Sequence, residues 1–120
     1  MDSVCRVRQC KQAIGQKIDV EIDRPLGSAH PRHPDMIYPV NYGYVPDTIA
    51  GDGAPQDVYV LGIDTPQRRI ENLRVIAVYR RFHDDEDKWI AAPEGTSFSD
   101  EEILRAIHFT EQYFEGELIR

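Results

Sequence analysis

Tyr38-Pro39-Val40-Asn41-Tyr42-Gly43-Tyr44-Val45-Pro46 is followed, after a short gap, by Gly51-Asp52-Gly53-Ala54-Pro55-Gln56-Asp57-Val58-Tyr59-Val60-Leu61. The two runs read as a tyrosine-lined strand, a turn, a carboxylate loop and a second strand. In an extended segment Tyr38, Tyr42 and Tyr44 share one face. They serve equally as core filler with hydroxyls at the rim or as the lining of a polar site. Pro39 and Pro46 favour strand edges or breaks. Asp52 and Asp57 bracket a Gly/Pro turn, so both carboxylates can converge on one point, and Val58 to Ile63 anchors the loop in a β-sheet. Hard oxygen ligands on a rigid strand edge suit Mg²⁺. The same residues also suit a turn that only reverses the chain.

On the N-terminal side, Ile18, Val20 and Ile22 alternate with Lys17, Asp19 and Glu21, the pattern of a half-buried strand with one polar face. Glu21 therefore points away from the core. Residues 1–15 show weak alternation and are expected to form a short edge strand or a frayed end. Between Asp23 and Asp35 four prolines and glycines predict an irregular loop. That loop gathers Arg24, His30, Arg32 and His33, which suit either solvent or a phosphate.

On the C-terminal side, residues 65–72 form a turn. Leu73 to Tyr79 is apolar on both faces and reads as a central strand. His83 to Asp87 is an acidic connection, and Lys88 to Ala92 is the next strand. Ser99 with Glu102 three residues on makes a capping box, Phe98 can staple to Ile103, and Gly116 is a plausible stop. Ile103, Ala106, Ile107, Thr110 and Phe114 recur at helical spacing.

The 120 residues predict one domain over 1–120, with 41% apolar and 29% charged residues as in a soluble globular protein. A net charge of −7 argues against nucleic-acid binding by bulk electrostatics. No apolar run approaches membrane-spanning length. Met1 to Cys10 lacks the apolar stretch of a secretory signal. Cys5 and Cys10 have neither zinc-site nor redox-motif spacing, which points to reduced thiols in a cytoplasmic protein.

A second acidic group lies at Asp84-Asp85-Glu86-Asp87-Lys88. If extended, Asp84, Glu86 and Lys88 share a face. Joined to Asp52 and Asp57 they would build a four-carboxylate metal site beside a phosphate-binding lysine; apart, they form a solvated acidic hairpin tip.

From Glu21-Ile22-Asp23, through the tyrosine run and the Asp52 loop, to Asp84–Pro93 and, more weakly, His108–Tyr113, the sequence resembles the soluble, Mg²⁺-dependent inorganic pyrophosphatases of family I. The resemblance covers most of the chain. It implies a mainly β (α+β) fold: a small five-stranded, OB-like β-barrel closed by a C-terminal α-helix. It implies metal-ligand roles for Asp52, Asp57, Asp84 and Glu86, with Glu21 a carboxylate near the metals. Lys88 matches a phosphate-contacting lysine, Tyr42 and Tyr113 match site tyrosines, and Arg32 is the candidate for the phosphate-binding arginine. The implied cofactor is Mg²⁺, with Mn²⁺ the alternative, and a homo-oligomer is compatible with the family.

Departures from the pattern bear on activity. Ala54 stands where the family loop holds the carboxylate that activates the attacking water, Phe114 where a phosphate-binding lysine follows the tyrosine, and Asp19 near another lysine. Gln56 replaces an apolar residue. The expected function is hydrolysis of inorganic pyrophosphate to two phosphates. The alternatives are a binding or regulatory protein on the same fold, and hydrolysis of another small phospho-compound.

Overall fold

A computed structural model describes residues 3–83 and 86–120, with side chains from Val7 onward. The chain runs α1 (Ser3–Ala13), β1 (Lys17–Arg24), β2 (Ala29–His30), β3 (His33–Ile37), β4 (Asn41–Val45), β5 (Gln56–Val60), β6 (Arg69–Arg81), β7 (Lys88–Pro93), α2 (Asp100–Glu111) and β8 (Gly116–Ile119). Strand β4 lies antiparallel between β1 and β5, β5 runs parallel to β7, β7 pairs antiparallel with β6, and β6 returns to β1. These five strands close a barrel, and β8 extends the far end of β6. Register shifts at Ile18/Val20, Ile22/Arg24 and Val75/Ala77 bend the strands where closure demands it.

Alternation sorts the side chains into two layers. Val20, Val58, Val60, Leu73, Val75 and Ala91, from four of the strands, fill the barrel with Val45 from the fifth. On the other face of the same strands Tyr42, Tyr59, Ala77 and Ile90 pack beneath Ile103 and Ile107 of α2. Burying each of those isoleucines contributes about 1.5–3 kcal/mol. The period of two puts Asp57 on the face of Tyr59 and Lys88 on the face of Ile90, so both polar groups stand outside the barrel, beside α2.

Gly43 sets the approach of β1 to β4. A Cβ there would lie 1.8 Å from the Glu21 carbonyl oxygen and 2.9 Å from the Ile22 Cα. The glycine inside the tyrosine run is thus a condition of strand pairing.

The barrel and the capped helix match expectation, including Ser99 and Glu102 in a reciprocal capping box and Phe98 packed in the cluster of Ile103. Other expectations are corrected. Residues 3–13 form a helix, not an edge strand: Cys10 and Ala13 share a helical face that packs on Val78 and Ile119. A helical spacing of three and four in so short a segment looks like weak alternation. The loop from Asp23 to Asp35 contains a two-stranded hairpin, β2–β3, apart from the main sheet. Pro34 is tolerated because such a small sheet consists of edges. Helix α2 ends at Glu111 with Gln112 as its cap, so Phe114 lies beyond it, and Gly116 opens β8 rather than stopping the helix. The described chain therefore ends in a strand.

Candidate active site

Strands β5 and β7 are parallel neighbours with Val58 opposite Trp89, so their N-terminal ends lie side by side. Asp57 is the second residue of one strand, and Glu86 precedes the other by two residues. Asp52 sits in the tight turn before β5, where Gly53 takes a left-handed φ of 83° and the Asp52 carboxylate accepts the Ala54 N–H at 3.0 Å. One carboxylate oxygen from each of Asp52, Asp57 and Glu86 lies within 4.8 Å of the others. Three hard oxygen donors of like charge at this spacing fit a divalent cation.

Lys88 enters the cluster from beneath. It is buried, and its Nζ donates to Asp57 Oδ2 at 2.7 Å, Tyr42 OH at 3.0 Å and Glu86 Oε2 at 3.3 Å. Burial opposes the ammonium charge, but Tyr42 and the Asp57 carboxylate outweigh it and hold Lys88 above the ordinary lysine range. Burial pushes the Tyr42 hydroxyl up to about 12, with Lys88 pulling the other way. Because Tyr42 accepts from Lys88, its own O–H proton is free to point at another acceptor.

Gln56 ties the two acidic segments together. Its buried side-chain amide donates to the Asp87 carbonyl at 2.6 Å and to the Asp57 carbonyl at 3.1 Å. Behind Glu86 lies a buried pair: Arg81 donates through Nε and Nη2 to the two Glu111 oxygens, at 2.9 and 2.8 Å, and through Nη1 to Glu86 at 3.2 Å. Tyr59 donates to Glu111 at 2.6 Å; burial, then the Glu111 charge, raises its hydroxyl well above the usual value. The Phe114 ring covers Arg81, its centroid 3.6 Å from the guanidinium carbon.

The structure brings together Asp52, Asp57, Glu86, Lys88 and Tyr42. Asp84 lies outside the described residues. Glu21 stands in the same cross-strand row as Tyr44 and Asp57 but is two strands from Asp57, and its carboxylate pairs with Arg69. Arg32 is exposed on the β2–β3 hairpin, its backbone N–H bonded to His30 Nδ1 at 3.0 Å, and does not enter the cluster. Tyr113 is 69% exposed and lines a neighbouring cavity.

The sequence places Arg24 among four candidate cations and the resemblance points to Arg32, yet Arg24 is the one that reaches the site tyrosines. Arg24 donates to Tyr38 OH at 2.6 Å and lies 5.6 Å from the Tyr42 ring centroid. The Ile22/Arg24 register shift re-aims this end of β1, and a bulge leaves no mark in side-chain alternation. Asp23 beside it is exposed as a residue, yet partial desolvation raises its carboxyl while Arg24 pulls it down; Asp57 and Lys88 are also within electrostatic reach.

Residues 10–114 match the family described as Inorganic pyrophosphatase. The chain belongs to the inorganic pyrophosphatase family. The inorganic pyrophosphatase of Saccharolobus solfataricus is 36% identical over 113 residues, covering 82% of this chain and 62% of its own length. That of Caulobacter vibrioides is 41% identical over 51 residues, 40% of this chain and 29% of the relative. The chain thus spans less than two thirds of the length of these curated relatives. Among solved structures, the Coxiella burnetii inorganic pyrophosphatase superposes with a TM-score of 0.63 at 24% identity, covering 82% of this chain and 79% of the other. The enzyme from Ehrlichia chaffeensis gives 0.62 at 24% identity, with 87% and 85% covered. At that identity the likeness shows the pyrophosphatase fold.

Proposed function

We propose that this chain is a Mg²⁺-dependent inorganic diphosphatase, with residues 1–120 acting as one domain in the cytoplasm and Mn²⁺ as a substitute metal. The observation that carries the reading is the meeting of Asp52, Asp57 and Glu86 around the buried Lys88. Family membership supplies the reaction class.

Asp52, Asp57 and Glu86 would hold the metal, with Asp84 and Glu21 as further carboxylates toward it. When bound, Mg²⁺ lowers the pKa of coordinated water and offsets charge on phosphate oxygens. Lys88 keeps its proton across the working pH range, so it is an electrostatic partner rather than a base. Tyr42, receiving a hydrogen bond from Lys88, is set to donate its hydroxyl proton to a phosphate oxygen. Arg24 lies on the tyrosine side of the site and takes the charge-balancing role that the resemblance gave to Arg32. Tyr113, beyond the end of α2, would close the outer side over bound substrate. In the reaction a water oxygen bonds to one phosphorus, the bond from that phosphorus to the bridging oxygen breaks, and two phosphates leave.

A second reading rests on Ala54 and Phe114, which leave the loop without its third carboxylate and the cluster without a second lysine. On that reading the protein binds metal and phosphate without turnover. Phosphate release from pyrophosphate and other phospho-compounds, with Mg²⁺ and with a chelator, separates the two. The hydrolase reading expects release from pyrophosphate that stops on chelation. Binding of pyrophosphate without release would overturn it.

A further inference from the structure

Beside the carboxylates, a cavity of about 720 Å³ opens between the β2–β3 hairpin and the C-terminal end of α2. Its walls set Ile37, Phe109, Tyr113 and Phe114 beside polar groups such as His30, Asp35 and Gln112. The volume falls in the range of sites for small organic ligands, which are lined mainly by apolar and aromatic groups with few polar ones. The apolar part of these walls offers bare pyrophosphate no partner. Its oxygens need cations and N–H or O–H donors, and burying them against rings costs free energy.

Two connections join the cavity to the metal site. Phe114 lines the cavity and also covers Arg81, which holds Glu86, so one side chain separates the aromatic wall from the carboxylates. At the other end His30 is stacked on Tyr38 with an interplanar angle of 13°, and Tyr38 accepts from Arg24. Phe114 thus sets a flat apolar face one guanidinium away from the carboxylate cluster. Ile37 and Tyr113 are 51% and 69% exposed, so these faces are open to a ligand.

We infer that the cavity takes the base and sugar of a nucleoside 5′-diphosphate whose phosphoanhydride lies over Asp52, Asp57 and Glu86. The inference rests on the hydrolase reading for turnover, but not for binding. The base stacks on the aromatic wall, an interaction that tolerates any base because every base has a π-face. In the reaction water oxygen bonds to the terminal phosphorus and the bond from that phosphorus to the bridging oxygen breaks. The bridging oxygen leaves on the nucleoside monophosphate, and the proton of the water passes to solvent. Products are one phosphate and one nucleoside monophosphate.

The test uses adenosine diphosphate, pyrophosphate and adenosine monophosphate with the full chain and Mg²⁺. Phosphate release is measured for the first two and calorimetric binding for the third, in the parent and in Ile37→Glu. Ile37 is exposed, so the substitution does not threaten the fold. The proposal expects release from adenosine diphosphate, and monophosphate binding that weakens tenfold or more in Ile37→Glu. It also expects the ratio of kcat/KM for adenosine diphosphate over pyrophosphate to fall at least tenfold. Release from pyrophosphate alone, with no monophosphate binding, overturns the proposal and leaves the hydrolase reading intact. Monophosphate binding that is indifferent to Ile37→Glu also overturns it. Binding that depends on Ile37 with no release from either substrate supports the cavity and removes the hydrolase reading instead.

Discussion

The side-chain amide of Gln56 and the main-chain carbonyl of Asp87 meet at 2.6 Å, across 31 residues of sequence. This contact fixes the distance between the Asp52–Asp57 turn and the segment that carries Glu86. The proposed metal ligands are therefore positioned by a residue outside the carboxylate cluster. Gln56→Leu keeps the volume and removes the donor. It should cost about 1–3 kcal/mol of stability and weaken Mg²⁺ binding by about tenfold or more. Urea unfolding and Mg²⁺ calorimetry check both. An unchanged isotherm would show that the amide only fills space.

Gly43→Ala should be among the most damaging single changes in the barrel. The added methyl would meet the Glu21 backbone, which has no rotamer by which to yield. Separation of β1 from β4 would follow, with a loss of about 3 kcal/mol or more in unfolding free energy. Circular dichroism on heating measures it; a parent-like transition would refute the close approach.

The burial of Tyr42, which outweighs the opposing pull of Lys88, predicts the alkaline limb of stability. Tyr42 titrates near 12 in the folded chain against an ordinary value of 10.0. The folded state thus keeps this proton longer, so the contribution is full below pH 10 and is lost as pH rises toward 12. The difference is worth roughly 3 kcal/mol. Lys88, also raised, acts in the same direction. Tyr42→Phe should flatten the fall in stability between those pH values, as read from urea midpoints across the range. An equally steep fall in the variant would contradict the assignment.

Much of this was legible in the chain. The run from Tyr38 to Leu61 carries strand alternation, turn chemistry and carboxylates in one stretch, so β4, β5 and the Asp52–Asp57 pair could be read locally. Glu86 lies two residues before Lys88, which opens β7, and the parallel pairing of β5 with β7 does the rest. What escaped depends on partners distant in sequence. Gln56 looked like a polar replacement in an apolar position, and its purpose appears only with Asp87 beside it. The Arg81–Glu111 pair joins a strand to a helix 30 residues away. Arg24 outranks Arg32 because of a bulge, and a bulge has no period. Helix α1 was missed because its apolar face has few members, which a period of two fits almost as well as 3.6.

Ala54 has a methyl group in the turn where Asp52 accepts the Ala54 N–H. Ala54→Asp would place a fourth carboxylate at the cluster. With metals saturated, pyrophosphate hydrolysis should rise by about tenfold or more, since a positioned base contributes about 10² to 10⁴. If Phe114 depletes the clamp too far, Ala54→Asp with Phe114→Lys is needed for the same gain. A folded double variant no faster than the parent would mean that water is activated by another route.

The central claim is that Asp52, Asp57 and Glu86 around Lys88 form a metal-dependent centre that hydrolyses pyrophosphate. Its most direct test is phosphate release from pyrophosphate as Mg²⁺ is titrated, in the parent and in Asp57→Asn. That substitution keeps the shape and removes the charge that pairs with Lys88 and that the proposal assigns to the metal. The account predicts Mg²⁺-dependent release by the parent, reduced about 10²-fold or more in the variant, since even partners one step behind a metal cost 10–100-fold when lost. Release by Asp57→Asn at the parent's rate and the parent's Mg²⁺ dependence would contradict it.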